Sequence, residues 1–279
     1  MKGLHRGFAI VFADSYILIS LSAIFLAMAT QAQAGMPVIL RPLHLLLFSG
    51  TLAAYNWHRI LKNREMGMPG KGSALNLILF LTSLPVLVFT LFLVNRTVLL
   101  LLIPAMVVTF LYSLPTRSNL WILPVRKIPF IKIFLVAFAW SYVTVLLPLS
   151  GFGSFTDTYS LFPAFSERFI LIMAVALPFD IRDAESDRAS GIVTLPVAMG
   201  EPAARKLAVF LALIFPLTVM MTGLTSAEFP GIGAALFTSA GLLVLLRCNK
   251  CRQHPLYYSL FMDGVLLFYG LAVISAVCF

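Results

Sequence analysis

Residues 178–191 read PFDIRDAESDRASG, which puts Asp180, Asp183, Glu185 and Asp187 within eight positions of a chain that has eleven acidic residues in all. If this stretch is helical, successive side chains turn by about 100°, so Asp183 stands roughly 60° from Asp180 and Asp187 about 20° from it. Three carboxylates then share one face, and Glu185 points elsewhere. Stacked like charges at a helix C-terminus are unfavourable twice, through mutual repulsion and through the negative end of the helix dipole. A cation must compensate. Arg182 and Arg188 are available within the segment; a divalent metal is the other solution, because Mg2+ takes hard oxygen ligands and commonly joins one or two carboxylates to substrate phosphates. Spacing alone leaves both readings open: a solvated helix end balanced by its own arginines, or a metal-bridged diphosphate site on Asp183 and Asp187 with Asp180 in support.

The elements that must carry this face follow from composition. Of the 279 residues, 60% are hydrophobic and 11% charged. Apolar runs recur near the roughly 20-residue length that a helix rising about 1.5 Å per residue needs to cross a hydrocarbon core about 30 Å thick. They are continuous rather than alternating, which excludes a membrane barrel. Nine spans are expected: Phe8–Ala29, Val38–Trp57, Leu75–Val94, Val98–Leu114, Phe130–Leu149, a run ending near Phe179, Leu207–Leu224, Gly231–Leu246 and Leu256–Cys278. The sixth is the least defined, because Pro163, Glu167 and Arg168 crowd its start; Ser150–Arg168 reads as an outer turn with a short interfacial helix. The expected fold class is all-α, a polytopic bundle of about nine transmembrane helices, with residues 1–279 forming one integral membrane domain.

A net charge of +9 is a topological signal rather than a nucleic-acid one. Assigning alternate loops to opposite sides puts seventeen of the twenty basic residues on one side and leaves Arg41, Arg96 and Arg168 on the other. The positive-inside rule then places the N-terminus in the cytoplasm, the C-terminus outside and the acidic segment on the cytoplasmic side. Ala32-Gln33-Ala34 after an apolar stretch resembles a signal-peptide cleavage site, but Asp14 interrupts that stretch and it is long enough to span. Cys248 and Cys251 form a C-x-x-C in a basic turn, read as two reduced thiols. Asp14 and Asp263 fall inside predicted spans near their cytoplasmic ends, where charge is costly unless interfacial, paired or functional. Lys132 begins the fifth span and either snorkels to the interface or faces the site.

The longer string DIRDAESDRASGIVTLPVAMG closely resembles the second aspartate-rich signature of the UbiA-type intramembrane prenyltransferases: Asp183 and Asp187 in D-x-x-x-D, Arg188 at the next position, then Gly191 and Thr194-Leu195-Pro196. FLYSLPTRSNLWILPVRKIPFIK after the fourth span is similar to the family's tyrosine-containing turn and the basic positions after it. The resemblance implies a helical bundle around a lipid-facing cavity, Mg2+ held by Asp183 and Asp187 with Asp180, a polyprenyl diphosphate as donor and a lipophilic acceptor, aromatic or otherwise. It implies diphosphate contacts from Asn56, Tyr112, Arg126, Lys127 and Arg188. The first signature of the family departs here. Asn56 matches, but Trp57, Ile60 and Arg64 stand where aspartates follow, and the helix end carries His58, Arg59 and Lys62. One reading has Arg59, with Lys62 or His58, contact phosphate directly and replace one metal. The other has these cations serve topology alone, in a non-catalytic relative that binds an isoprenoid or lipid.

Overall fold

The structure is a computed structural model that describes residues 15–65, 73–114, 125–150, 161–225 and 231–278. Among them, nine helices of 16 residues or more occupy the nine predicted runs: α1 Ile17–Gln33, α2 Pro42–Glu65, α3 Ser73–Leu93, α4 Arg96–Ser113, α5 Ile131–Ser150, α6 Leu161–Ala189, α8 Glu201–Thr225, α9 Ile232–Arg247 and α11 Tyr257–Cys278. The short helices α7 Leu195–Met199 and α10 Asn249–Arg252 lie in connections. Six of the nine are long and apolar enough to cross a membrane; α1 and α9 are shorter apolar helices, and α2 is long but more polar.

Neighbours in sequence pack as antiparallel pairs, α2 with α3, α5 with α6, α8 with α9, and the succession closes where α11 packs on α1. That closure depends on one small residue. A Cβ on Gly270 of α11 would sit 2.7 Å from the backbone carbon of Phe25 in α1, so the two backbones touch as membrane helices do across small residues. The apolar character of α3 and α4 is turned outward instead: only 17% of each hydrophobic window is buried.

Inside the bundle, buried polar groups are matched to partners, as a low-dielectric interior requires. Arg168 donates to the Leu26 carbonyl at 3.1 Å and to Thr30 Oγ1 at 3.3 Å, and Glu167 accepts from Gln33 Nε2 at 3.3 Å and from the Tyr269 hydroxyl. A π-helical turn interrupts α5 at Tyr142–Leu146, where the Thr144 carbonyl accepts from the Thr30 hydroxyl at 2.8 Å.

The helix boundaries differ from the predicted spans. The sixth helix starts at Leu161 rather than after a separate interfacial helix, so Glu167 and Arg168 lie within its first turns, both buried; their partners on α1 and α11 make that tolerable. The second helix runs past Trp57 to Glu65, because its polar end finds tertiary partners, and the sixth runs to Ala189, in keeping with the helical reading of the acidic segment. The turn carrying Cys248 and Cys251 holds their Cα atoms 5.3 Å apart, within disulfide reach. Asp14 lies outside the described residues.

Candidate functional site

The acidic face forms as the spacing predicts. Asp180, Asp183 and Asp187 lie in the last turns of α6, and the helix ends in a Schellman motif: Ile192 N–H donates to the Asp187 carbonyl at 2.9 Å and Gly191 N–H to that of Arg188 at 3.1 Å. Gly191 has φ +71°, the left-handed conformation this cap requires. The next carbonyl, that of Val193, accepts from Phe130 N–H at 2.8 Å. That bond ties the entrance of α5 to the exit of α6 and sets Lys132 against the carboxylates.

Lys132 Nζ lies 2.8 Å from Asp180 Oδ1 and 2.8 Å from Asp187 Oδ2, with all three side chains nearly buried at 12%, 8% and 9% exposure. The arrangement offsets two local penalties at once. A cation in the first turn of α5 and anions in the last turns of α6 each oppose their own helix dipole, and the antiparallel ends place them together. Asp183 turns the other way, accepting from Lys62 Nζ at 3.3 Å and Arg182 Nε at 2.8 Å. The Arg182 guanidinium lies over the rings of Tyr258 and Phe179, 4.7 and 5.2 Å from their centroids, a cation–π clasp that fixes it. The three carboxylates thus face cations on α2, α5 and α6 rather than one another. No group of three acidic, histidine or cysteine side chains converges as a metal cage among the described residues.

Helix α2 supplies the opposite wall. Tyr55, His58 and Lys62 fall at i, i+3 and i+7, one helical face: Tyr55 accepts a hydrogen bond from Trp140 Nε1 at 3.1 Å and packs on Tyr16 at 5.5 Å, His58 packs on Tyr112 at 5.3 Å, and Lys62 reaches Asp183. Arg59 and Arg64 are exposed. Deeper than the charges, Tyr16, Tyr55 and Trp140 form an aromatic wall, with Phe179 and Tyr258 in contact with each other at 5.4 Å beside Arg182.

The other expected residues are dispersed. Asn56 is buried, with Nδ2 donating to the Leu52 carbonyl at 2.8 Å and the Ser15 carbonyl at 3.3 Å while Oδ1 accepts from Asn76 at 2.8 Å. Its amide pins α2 to α3 and to the segment before α1. Lys127 is exposed in a 3-10 turn, Val125–Lys127; Arg188 is exposed at the end of α6; the Arg126 side chain lies outside the described ones. Asp263 opens the regular part of α11 after a π-helical turn, Tyr257–Met262, and joins no salt bridge among the described residues. Sequence reasoning did not single out Tyr55, Trp140 and Tyr258. The i, i+3, i+7 spacing from Lys62 back to Tyr55 was the available signal.

The nine long helices bring acids and lysines from separate helices together at one end of the bundle. The sequence model of the UbiA prenyltransferase family matches residues 70–274, and the chain belongs to that family. With its apolar helices, this makes it an integral multi-pass membrane protein. The match begins after α2, so the cationic wall lies outside it. Among solved structures, the fold is similar to an apo UbiA homologue from Aeropyrum pernix K1, with a TM-score of 0.67, 10% identity and 93% of this chain and 98% of that one covered. It is also similar to a UbiA homologue from Archaeoglobus fulgidus bound to DMAPP and Mg2+, with a TM-score of 0.60, 15% identity and 95% and 99% covered. A third similar structure, of digeranylgeranylglyceryl phosphate synthase, has a TM-score of 0.57 and 13% identity, with 99% of each chain covered. No curated protein matches the sequence.

Proposed function

We propose that this protein transfers a prenyl group from a polyprenyl diphosphate to a lipophilic acceptor, with the diphosphate held between α6 and the lysines of α2 and α5. The observation that carries the reading is the contact of Lys62 with Asp183 across the site, directly above the aromatic wall. Family membership and the A. fulgidus homologue's DMAPP and Mg2+ support the same chemistry. The allylic C–O bond breaks with its electron pair leaving on the diphosphate; the acceptor's electrons form the new C–C or C–heteroatom bond, and the acceptor loses a proton. Lys62 and Lys132 can hold the departing negative charge as fixed donors. Tyr55 and Trp140 can present π faces to an allylic cation and exclude water from it.

The donor set fits one Mg2+ rather than two. Asp180 and Asp187 supply hard oxygens on one side, with Asp183 turned toward Lys62, and Asp180 Oδ2 is buried without a hydrogen-bond partner, whereas the facing wall offers His58 and Lys62. When bound, the ion would neutralise charge on the diphosphate. The acids that would hold it also keep the lysines in place before substrate arrives. The charge asymmetry of the loops supports a cytoplasmic N-terminus, an outer C-terminus and a site facing the cytoplasm.

The test is release of diphosphate from a radiolabelled polyprenyl diphosphate by the purified protein, with a panel of lipophilic acceptors, with Mg2+ and with chelator. Mg2+-dependent transfer that Asp183→Ala and Asp187→Ala each reduce at least about a hundredfold, the scale on which charge-stabilising groups act, is the expected result. Binding without turnover on every acceptor would instead make the chain a non-catalytic isoprenoid binder.

A further inference from the structure

Lys132 stands where a bound cation would stand. Its ammonium bridges Asp180 and Asp187 at 2.8 Å each, nearly buried, and Asp180 keeps one buried oxygen without a partner. A metal ion reaching this pair has to displace the ammonium. A lysine removed from its acids in a dry site needs another anion, since an unpaired buried charge is strongly disfavoured. A diphosphate is such an anion, and the flexible four-carbon stem of lysine allows the shift. On the opposite wall Lys62 is poised alike, with its ammonium 3.3 Å from Asp183.

Resting on the diphosphate reading above, we infer that Lys132 makes metal binding conditional on diphosphate. Without diphosphate, its ammonium closes Asp180 and Asp187 to Mg2+. When diphosphate enters, the ammonium passes to the phosphate oxygens and the two carboxylates become free to take metal. Mg2+ and diphosphate therefore bind with positive coupling, each raising the affinity for the other by the same factor. The device ensures that metal is gathered only together with substrate.

The experiment measures Mg2+ affinity by calorimetry on the full chain in detergent, with and without saturating inorganic pyrophosphate, at matched free Mg2+. The coupling factor is the ratio of the two Kd values. In the natural protein it is large, with Mg2+ alone binding weakly. In Lys132→Gln it falls by about tenfold or more, the scale on which neighbours of a metal ligand change its affinity, because Mg2+ now binds well without pyrophosphate. Lys132→Arg, which keeps a cation, restores the natural coupling. Lys132→Met, which keeps the length of the stem, takes the place of the Gln variant if that one does not accumulate. A counter-ion that stays on its carboxylates would leave the coupling factor equal in all variants, and that result overturns the inference while leaving the diphosphate reading intact. Absence of pyrophosphate binding to the natural protein under every condition overturns both.

Discussion

Lys62 and Arg59 lie three residues apart on α2 and meet different surroundings. Lys62 pairs with Asp183 across the site, whereas Arg59 is exposed, as is Arg64. Sequence reasoning put Arg59 first among the cations that could replace a metal; the helical face that actually meets α6 and α4 is the one carrying Tyr55, His58 and Lys62. The expected outcome is that Lys62→Ala weakens pyrophosphate binding about tenfold or more, since hydrogen bonds to charged groups are worth roughly 1.5–3 kcal/mol. Arg59→Ala and Arg64→Ala should each change it by no more than about twofold, as surface substitutions usually do. Calorimetric titration of the three variants checks this, and equal losses at Arg59 and Lys62 would show the face to be wrongly assigned. Asn56 illustrates a different point. It was expected on the substrate; both of its amide donors and its carbonyl are bonded within the protein, which ties down the helix that carries Lys62.

At the scale of elements, the site is an assembly of helix ends. Helices α2 and α6 arrive with their C-termini and α5 leaves with its N-terminus, so the backbone dipoles and the Lys132 bridge are set together by the Phe130 to Val193 bond. The ring of helices is closed by the α1–α11 contact, where a methyl group at Gly270 would collide with Phe25 backbone. Backbone cannot step aside as a flexible side chain can. Gly270→Ala should therefore destabilise the folded protein by about 1–3 kcal/mol, the usual cost of overpacking. This would be read as a lower thermal midpoint in detergent than that of Gly233→Ala, a position with open space around it. Equal midpoints would mean that the helices are free to separate there. The π-helical turns in α5 and α11 belong to this scale too. One leaves a carbonyl that Thr30 caps, and the other carries Tyr258 to Arg182.

For the whole molecule, orientation follows from where the basic residues collect, and the chain carries its own probe. Cys278 is exposed and free at the end of α11, while Cys248 and Cys251 lie in the turn before that helix, within disulfide reach of each other. With the C-terminus outside, a membrane-impermeant maleimide should label intact cells at Cys278 and lose the signal in Cys278→Ser. Labelling that appears only after permeabilisation would invert the topology and place the acidic site on the outer side. Conformationally, the outward apolar faces of α3 and α4 and the buried Glu167 and Arg168 fit a bundle whose solvent is lipid: charge is kept inside with partners, and large apolar side chains such as Phe89 and Phe92 face out.

Hydrophobic runs and the helical period were enough to read nine helices, the membrane setting and the single face shared by Asp180, Asp183 and Asp187, because span length and a 100° turn per residue are local properties. Gly191 was legible only through the family resemblance, and the structure supplies its physical reason, a left-handed helix cap that favours glycine. Part of what compensates the acids was legible, since Arg182 stands within the segment and does pair with Asp183. The lysines were not: Lys62 and Lys132 come from α2 and α5, and their selection among the chain's twenty basic residues depends on which helix faces meet. Contacts far apart in sequence decided that choice, and with it the finding that lysine side chains already sit among the carboxylates expected to receive the metal.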